Sequence, residues 1–186
     1  LGVMAADFFA NVLGTKKLAV IHDNTTYAKG LAESARDESQ ARGIEVVFFD
    51  AITSGEKDFS PVLTTVKAAG PDTIYFTGYF PDAGLLIKQS KDLGIEAQLV
   101  MGNAANNPEI VKIAGVEAAK GVLITTEPLL KDLPNPEAKK FIQDYIAKYN
   151  DPKLETIGDI WSIFLADGVQ LAVKAIEAAG STDPDA

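Results

Sequence analysis

Five short runs of β-branched and large apolar residues, each followed by a helical pattern, leave this chain few folds to choose from. The runs are Leu18–Ile21, Ile44–Phe49, Thr73–Thr77, Ala97–Met101 and Gly121–Thr126. Runs of this length and composition read as strands buried on both faces. The segments between them predict helices over Met4–Leu13, Tyr27–Arg42, Ser60–Ala69 and Ala83–Leu93, with a short one opening at Asn107-Pro108-Glu109. Gly14, Gly43, Gly70 and Gly94 stand where those helices stop. Strands alternating with helices predict an α/β fold: a doubly wound, mostly parallel five-stranded sheet flanked by helices.

Pro128, Pro134 and Pro136 break the alternation. The expected organisation is an α/β lobe over residues 1–127, a crossover linker over 128–135, and a helical pair over 136–180. A polar tail follows over 181–186. Within the pair, the helices are expected at Pro136–Tyr149 and Thr156–Ala179. At 186 residues the chain is long enough to bury a sizeable core. It begins at Leu1, which reads as a processed or truncated piece, and no charged leader with an apolar core is recognisable at its start.

The net charge is -9, from 26 acidic and 17 basic residues, and no basic stripe interrupts it. Such a surface repels nucleic acid backbone. The absence of cysteine removes disulfides, thiolate metal sites and cysteine nucleophiles. No apolar run approaches the length that spans a bilayer.

Motifs for chemistry are missing where they would be needed. The first strand–helix turn, HDNTTYAKG, has neither glycine pattern of a phosphate cradle. No G-x-S-x-G elbow is present. His22, the one histidine, stands beside Asp23 and invites an acid–base reading. The competing reading is a strand-end side chain satisfied by a polar neighbour. Asp58 and Asp82 read as solvated loop or helix-start charges rather than a catalytic pair. No cofactor or metal is expected.

What remains is a set of aromatic and small polar residues at successive strand ends, on the edge where open parallel sheets bind ligands. Tyr27 follows the first strand, Tyr79 and Phe80 the third, and Asn103 and Ala104 the fourth. Tyrosine offers a broad apolar face with a hydroxyl tip, which suits a small amphipathic ligand.

The segments IHDNTTYAKGLA, VVFFDAITSGEKDFSPVL, GYFPDAG and VMGNAANNPE resemble the leucine/isoleucine/valine-binding protein family, the type I periplasmic solute-binding proteins of ABC importers. The likeness extends over nearly the whole chain. It implies one lobe, the second, of a two-lobed protein that clamps a branched-chain amino acid or similar compound. The proline-rich break then corresponds to a crossover, and the final helical pair to part of the first lobe. The resemblance also implies a membrane permease as partner and a periplasmic or extracellular location. Tyr27 and Tyr79 match aromatic residues that the family sets against its ligand. The family's acidic partner for the ligand ammonium falls at Ala104, in a shorter loop where Asn103 or Asn106 offers a neutral acceptor. A single lobe is expected to bind ligand poorly. Phe141, Ile142, Trp161 and Phe164 on the helical pair are expected to be exposed and to favour a homodimer. A ligand-sensing domain of a receptor or regulator with the same fold is the alternative. An enzyme is not expected.

Overall fold

A computed structural model describes residues 1–128, 134–150 and 160–183. They form two compact units, Leu1–Glu127 and Pro128–Ala186.

In the first unit, α1 (Gly2–Phe8) runs into a π-helical turn over Phe9–Leu13, which Gly14 ends in the left-handed conformation. Then come β1 (Lys17–His22), α2 (Thr26–Ala41), β2 (Glu45–Ala51) and α3 (Ser60–Ala69). They are followed by β3 (Thr73–Phe76), α4 (Phe80–Asp92) and β4 (Gln98–Met101). A 3₁₀ turn at Asn103–Ala105, the short helices α5 (Glu109–Ala114) and α6 (Val116–Ala119), and β5 (Leu123–Ile124) complete the unit.

The strand order is β2-β1-β3-β4-β5, and every pairing is parallel. Side chains alternate between the two faces, so each strand feeds two cores. Leu18 and Val20 of β1, with Tyr75 and Val100, pack against Phe9 of the π turn and Leu31, Ala32 and Ala35 of α2. Ala19 and Ile21, with Ile74, Phe76 and Met101, pack against Leu63, Val66, Leu86, Ile87 and Ile110 from α3, α4 and α5. Each fully buried Leu, Ile or Phe stabilises the fold by about 1.5–3 kcal/mol. The amphipathic spacing seen in the sequence therefore translates into three layers, helix–sheet–helix. The chain leaves β1 toward the β2 side and leaves β3 toward the β4 side. The carboxyl ends of β1 and β3 thus flank a topological switch point, where an open parallel sheet leaves a crevice.

Several boundaries differ from the sequence expectation. Phe80 is the first residue of α4 rather than part of a connection, because Pro81 fits the first turn of a helix. Ser60 is helical and caps nothing; Asp58 instead accepts from the Ser60 amide at 2.9 Å. β5 is only two residues long and lies at one edge of the sheet.

In the second unit, α7 (Pro136–Tyr149) ends at Asn150 in the left-handed conformation, and α8 spans Ile160–Ala179. Ile142 is buried, contrary to the expectation of an exposed face, and Phe141 is half-buried. Phe164, Leu165, Val169 and Leu171 of α8 are exposed. The expectations on residues 156–159 and on the Trp161 side chain lie outside the described residues.

Candidate functional site

The connection after β1 is built by short polar side chains bonding to their own backbone. Asp23 Oδ1 accepts from the Thr25 amide at 3.0 Å and from the Thr25 hydroxyl at 2.7 Å. Thr25 is the N-cap of α2, its Oγ1 accepting from the Ala28 amide at 3.2 Å. Asn24 sits at φ 63°, a conformation asparagine tolerates better than most residues. Its amide donates to His22 Nδ1 at 3.0 Å.

That contact decides between the two readings of His22. The ring is buried, lies 5.4 Å from Phe49, and uses Nδ1 as an acceptor. Burial, followed by the nearby Lys29 charge, holds its pKa below the ordinary value. His22 is a neutral turn-organising residue.

This turn delivers Tyr27 to the carboxyl edge. The tight connection from β3 through Thr77 and Gly78 delivers Tyr79, with Thr77 Oγ1 donating to the Ala28 carbonyl at 2.8 Å. The Tyr27 and Tyr79 rings lie 6.0 Å apart at 51°, and both remain partly exposed, at 37% and 45%. Phe80 is half-buried and takes no part in that ring contact. Beyond β4, the 3₁₀ turn presents Asn103, which is buried and accepts a hydrogen bond from the Tyr27 hydroxyl. The Ala104 backbone amide also faces the phenolic oxygen and favours ionisation. Burial outweighs it, aided by the charge of Glu127, and the Tyr27 pKa is pushed up to about 12. Tyr27 is therefore a neutral hydroxyl over the whole physiological range.

Four of the five expected residues thus share one edge cluster: Tyr27, Tyr79, Asn103 and the main chain of Ala104. Phe80 lies at its margin. A residue not anticipated from the sequence joins them. Glu127, just past β5, accepts from the Asn103 side-chain amide at 2.9 Å. Its position after a fifth strand end was the available signal. Asp82 stands in the first turn of α4, the helix-start placement expected, but it is not solvated. It is buried and bonded to the Ser54 hydroxyl at 2.8 Å and the Gly55 amide at 3.1 Å, which pins the 52–59 segment to the start of α4. Among the described residues no cluster of three or more metal-binding side chains exists, and no helix is long and apolar enough to cross a membrane.

A cavity of about 670 Å³ opens at the opposite edge, near Asp72, Lys91, Glu96 and Gln98. It lies at the amino ends of β3 and β4, away from the switch point. The tyrosine edge holds the convergent aromatic and polar groups that ligand sites use.

Aromatic and amide groups at the switch point of an open parallel sheet stand where such sheets bind small molecules. Comparison with known proteins makes the class specific. The family model described as "Periplasmic binding protein" matches residues 2–186, and the chain belongs to this family. It is 33% identical over 184 residues to a leucine-, isoleucine-, valine-, threonine- and alanine-binding protein of Pseudomonas aeruginosa, covering 99% of this chain and 47% of that protein. The crystal structure of a leucine-binding protein from Thermotoga maritima superposes with a TM-score of 0.82 at 34% identity, over 98% of this chain and 50% of that one. A branched-chain amino acid transporter substrate-binding protein from Streptococcus pneumoniae, in complex with isoleucine, gives a TM-score of 0.70 at 28% identity, with 98% and 50% covered. The chain spans about half the length of the relatives it matches.

Proposed function

We propose that this chain forms one wall of the ligand cleft of an ABC importer's solute-binding component, and that the ligand is a branched-chain amino acid or a similar small amphipathic molecule. The observation that carries the reading is the meeting of Tyr27, Tyr79 and Asn103 at the switch point, 24 to 76 positions apart in the chain and joined only by the fold. Two tilted tyrosine rings offer an apolar surface, and the neutral Tyr27 hydroxyl with the Asn103 amide offers directional polar contacts. Ala104 contributes its backbone amide.

In this reading the ligand is held against the edge by the first lobe of the two and closure is a hinge motion. Residues 128–135 form a crossover, and residues 136–180 belong to that first lobe. The protein is non-enzymatic and works in the periplasm or outside the cell. It hands its ligand to a membrane permease. The homodimer expected from the helical pair rests on the exposed apolar positions of α8, and light scattering over a dilution series tests it.

The test of the site is a thermal-shift screen of the natural full-length protein against leucine, isoleucine, valine, their 2-keto acids, small amides and aromatic acids. A ligand present at about a hundred times its Kd adds about 2.7 kcal/mol to the folded state. The expected result is a shift with at least one compound that Tyr27→Ala or Tyr79→Ala weakens about tenfold or more in affinity. No shift with any compound, or a shift indifferent to both substitutions, refutes the reading.

A further inference from the structure

Glu127 reaches the edge cluster from the end of the neighbouring strand β5. Its Oε1 accepts from Asn103 Nδ2 at 2.9 Å and its Oε2 from the Thr126 hydroxyl at 3.3 Å.

The pattern of donors fixes the orientation of the Asn103 amide. An ionised carboxylate only accepts, so the NH₂ group must face Glu127, and the carbonyl oxygen is left to accept from Tyr27. Tyr27, Asn103 and Glu127 form one directed relay. Asn103 is itself 7% exposed, so the relay is anchored in packed protein rather than on a free surface.

The carboxylate retains acceptor capacity. Each oxygen has two lone pairs, and the two contacts named use one apiece, the second of them long. Among the described residues no Lys or Arg pairs with Glu127. A second anion stands on the same edge: Asp23, whose Oδ2 is buried without a hydrogen-bond partner. The charges of both carboxylates are felt at the Tyr27 hydroxyl. The aromatic floor is therefore flanked by two carboxylates, and among the described residues neither is ion-paired with a Lys or Arg.

We infer that Glu127 is the specificity-determining anion of this site and that the ligand presents an ammonium group to it. The inference rests on the functional reading above. A cationic group placed beside Tyr27 and Asn103 gains a charge-assisted hydrogen bond to Glu127, whereas a purely anionic ligand meets like charge.

The experiment is isothermal titration calorimetry on the natural full-length protein and its Glu127→Gln variant, with leucine, isoleucine and valine against their three 2-keto acids. Glutamine removes the charge and keeps an oxygen that accepts from Asn103, so an unchanged melting temperature is expected. The expected result is tight amino-acid binding by the unsubstituted protein and a loss of about ten- to hundredfold in Glu127→Gln, with keto-acid binding unchanged or improved. Amino-acid binding that survives Glu127→Gln overturns the inference. So does a preference of the unsubstituted protein for the keto acids with binding that depends on Tyr27, an outcome that leaves the functional reading standing. Failure of the unsubstituted protein to bind any of the six overturns the inference, and the functional reading falls with it when the small amides and aromatic acids fail as well.

Discussion

Replacing Gly78 by alanine tests the geometry that brings Tyr79 to the edge. An added Cβ would lie 2.3 Å from Phe76 Cζ, 3.0 Å from Phe76 Cε1 and 3.0 Å from Asp23 Oδ2. The first distance is far inside van der Waals contact. Phe76 cannot swing aside cheaply, because it is fully buried in the cluster containing Ile21, Met101 and Ala105. Gly78 is not among the glycines in the left-handed region, so the backbone itself tolerates alanine. On backbone entropy alone Gly→Ala would stabilise by about 0.4–1 kcal/mol. Overpacking costs about 1–3 kcal/mol and decides the sign. Net destabilisation of about 1–2 kcal/mol is expected.

The control is Gly30→Ala, in the exposed interior of α2, where an added Cβ meets nothing within 4 Å. There the substitution is expected to stabilise by about 0.5–1 kcal/mol. Urea denaturation followed by circular dichroism reads both as midpoint changes at constant slope. Displacing Asp23 and Tyr79 should also weaken ligand in the full-length Gly78→Ala protein and not in Gly30→Ala. A Gly78→Ala variant as stable as the parent, or more so, refutes this account of the β3–α4 turn.

Two pH effects follow from the groups on the same edge. His22 has its folded pKa lowered, so its contribution is fully present above the ordinary pKa near 6.5 and is lost as pH falls through the folded value. Protonation at Nδ1 also removes the acceptor for the Asn24 amide. His22→Asn, which keeps an acceptor but does not titrate, should flatten the acid limb of a melting-temperature profile; an unchanged limb contradicts the assignment. Tyr27 has its folded pKa raised, so its contribution is complete below pH about 10 and is lost as pH rises toward about 12. Tyr27→Phe should flatten that alkaline limb. In an ultraviolet titration of phenolate formation, Glu127→Gln should let Tyr27 ionise at lower pH, because one raising charge is gone.

The fold was largely legible because its signals are local. A strand buried on both faces must be apolar at consecutive positions, and a helix must end where glycine or proline interrupts it. Leu18–Ile21 and the stop at Gly14 therefore read correctly from the residues alone. Boundaries that depend on competition between neighbours did not. The start of α3 is one case: Phe59 is its N-cap, and Asp58 accepts from the Ser60 amide. Asp82 read as a solvated or helix-start charge, and nothing local shows that Ser54 and Gly55 fold back onto it, 28 and 27 positions upstream.

The edge cluster divides in the same way. That Tyr27, Tyr79 and Asn103 lie at strand carboxyl ends follows from the order of apolar runs and turns. Their proximity does not, because it depends on β3 lying between β1 and β4 with all strands parallel. Glu127 shows the limit most clearly. It stands 24 positions from Asn103 and beside a two-residue strand, and only the pairing of β4 with β5 brings its carboxylate to the amide. The sequence by itself determined layers, strand direction and the edge where a ligand would meet the sheet, since periodicity and turn chemistry act over a few residues. Tertiary structure alone decided which side chains share that edge and what charge they present, because strand order is set by packing between segments far apart in the chain.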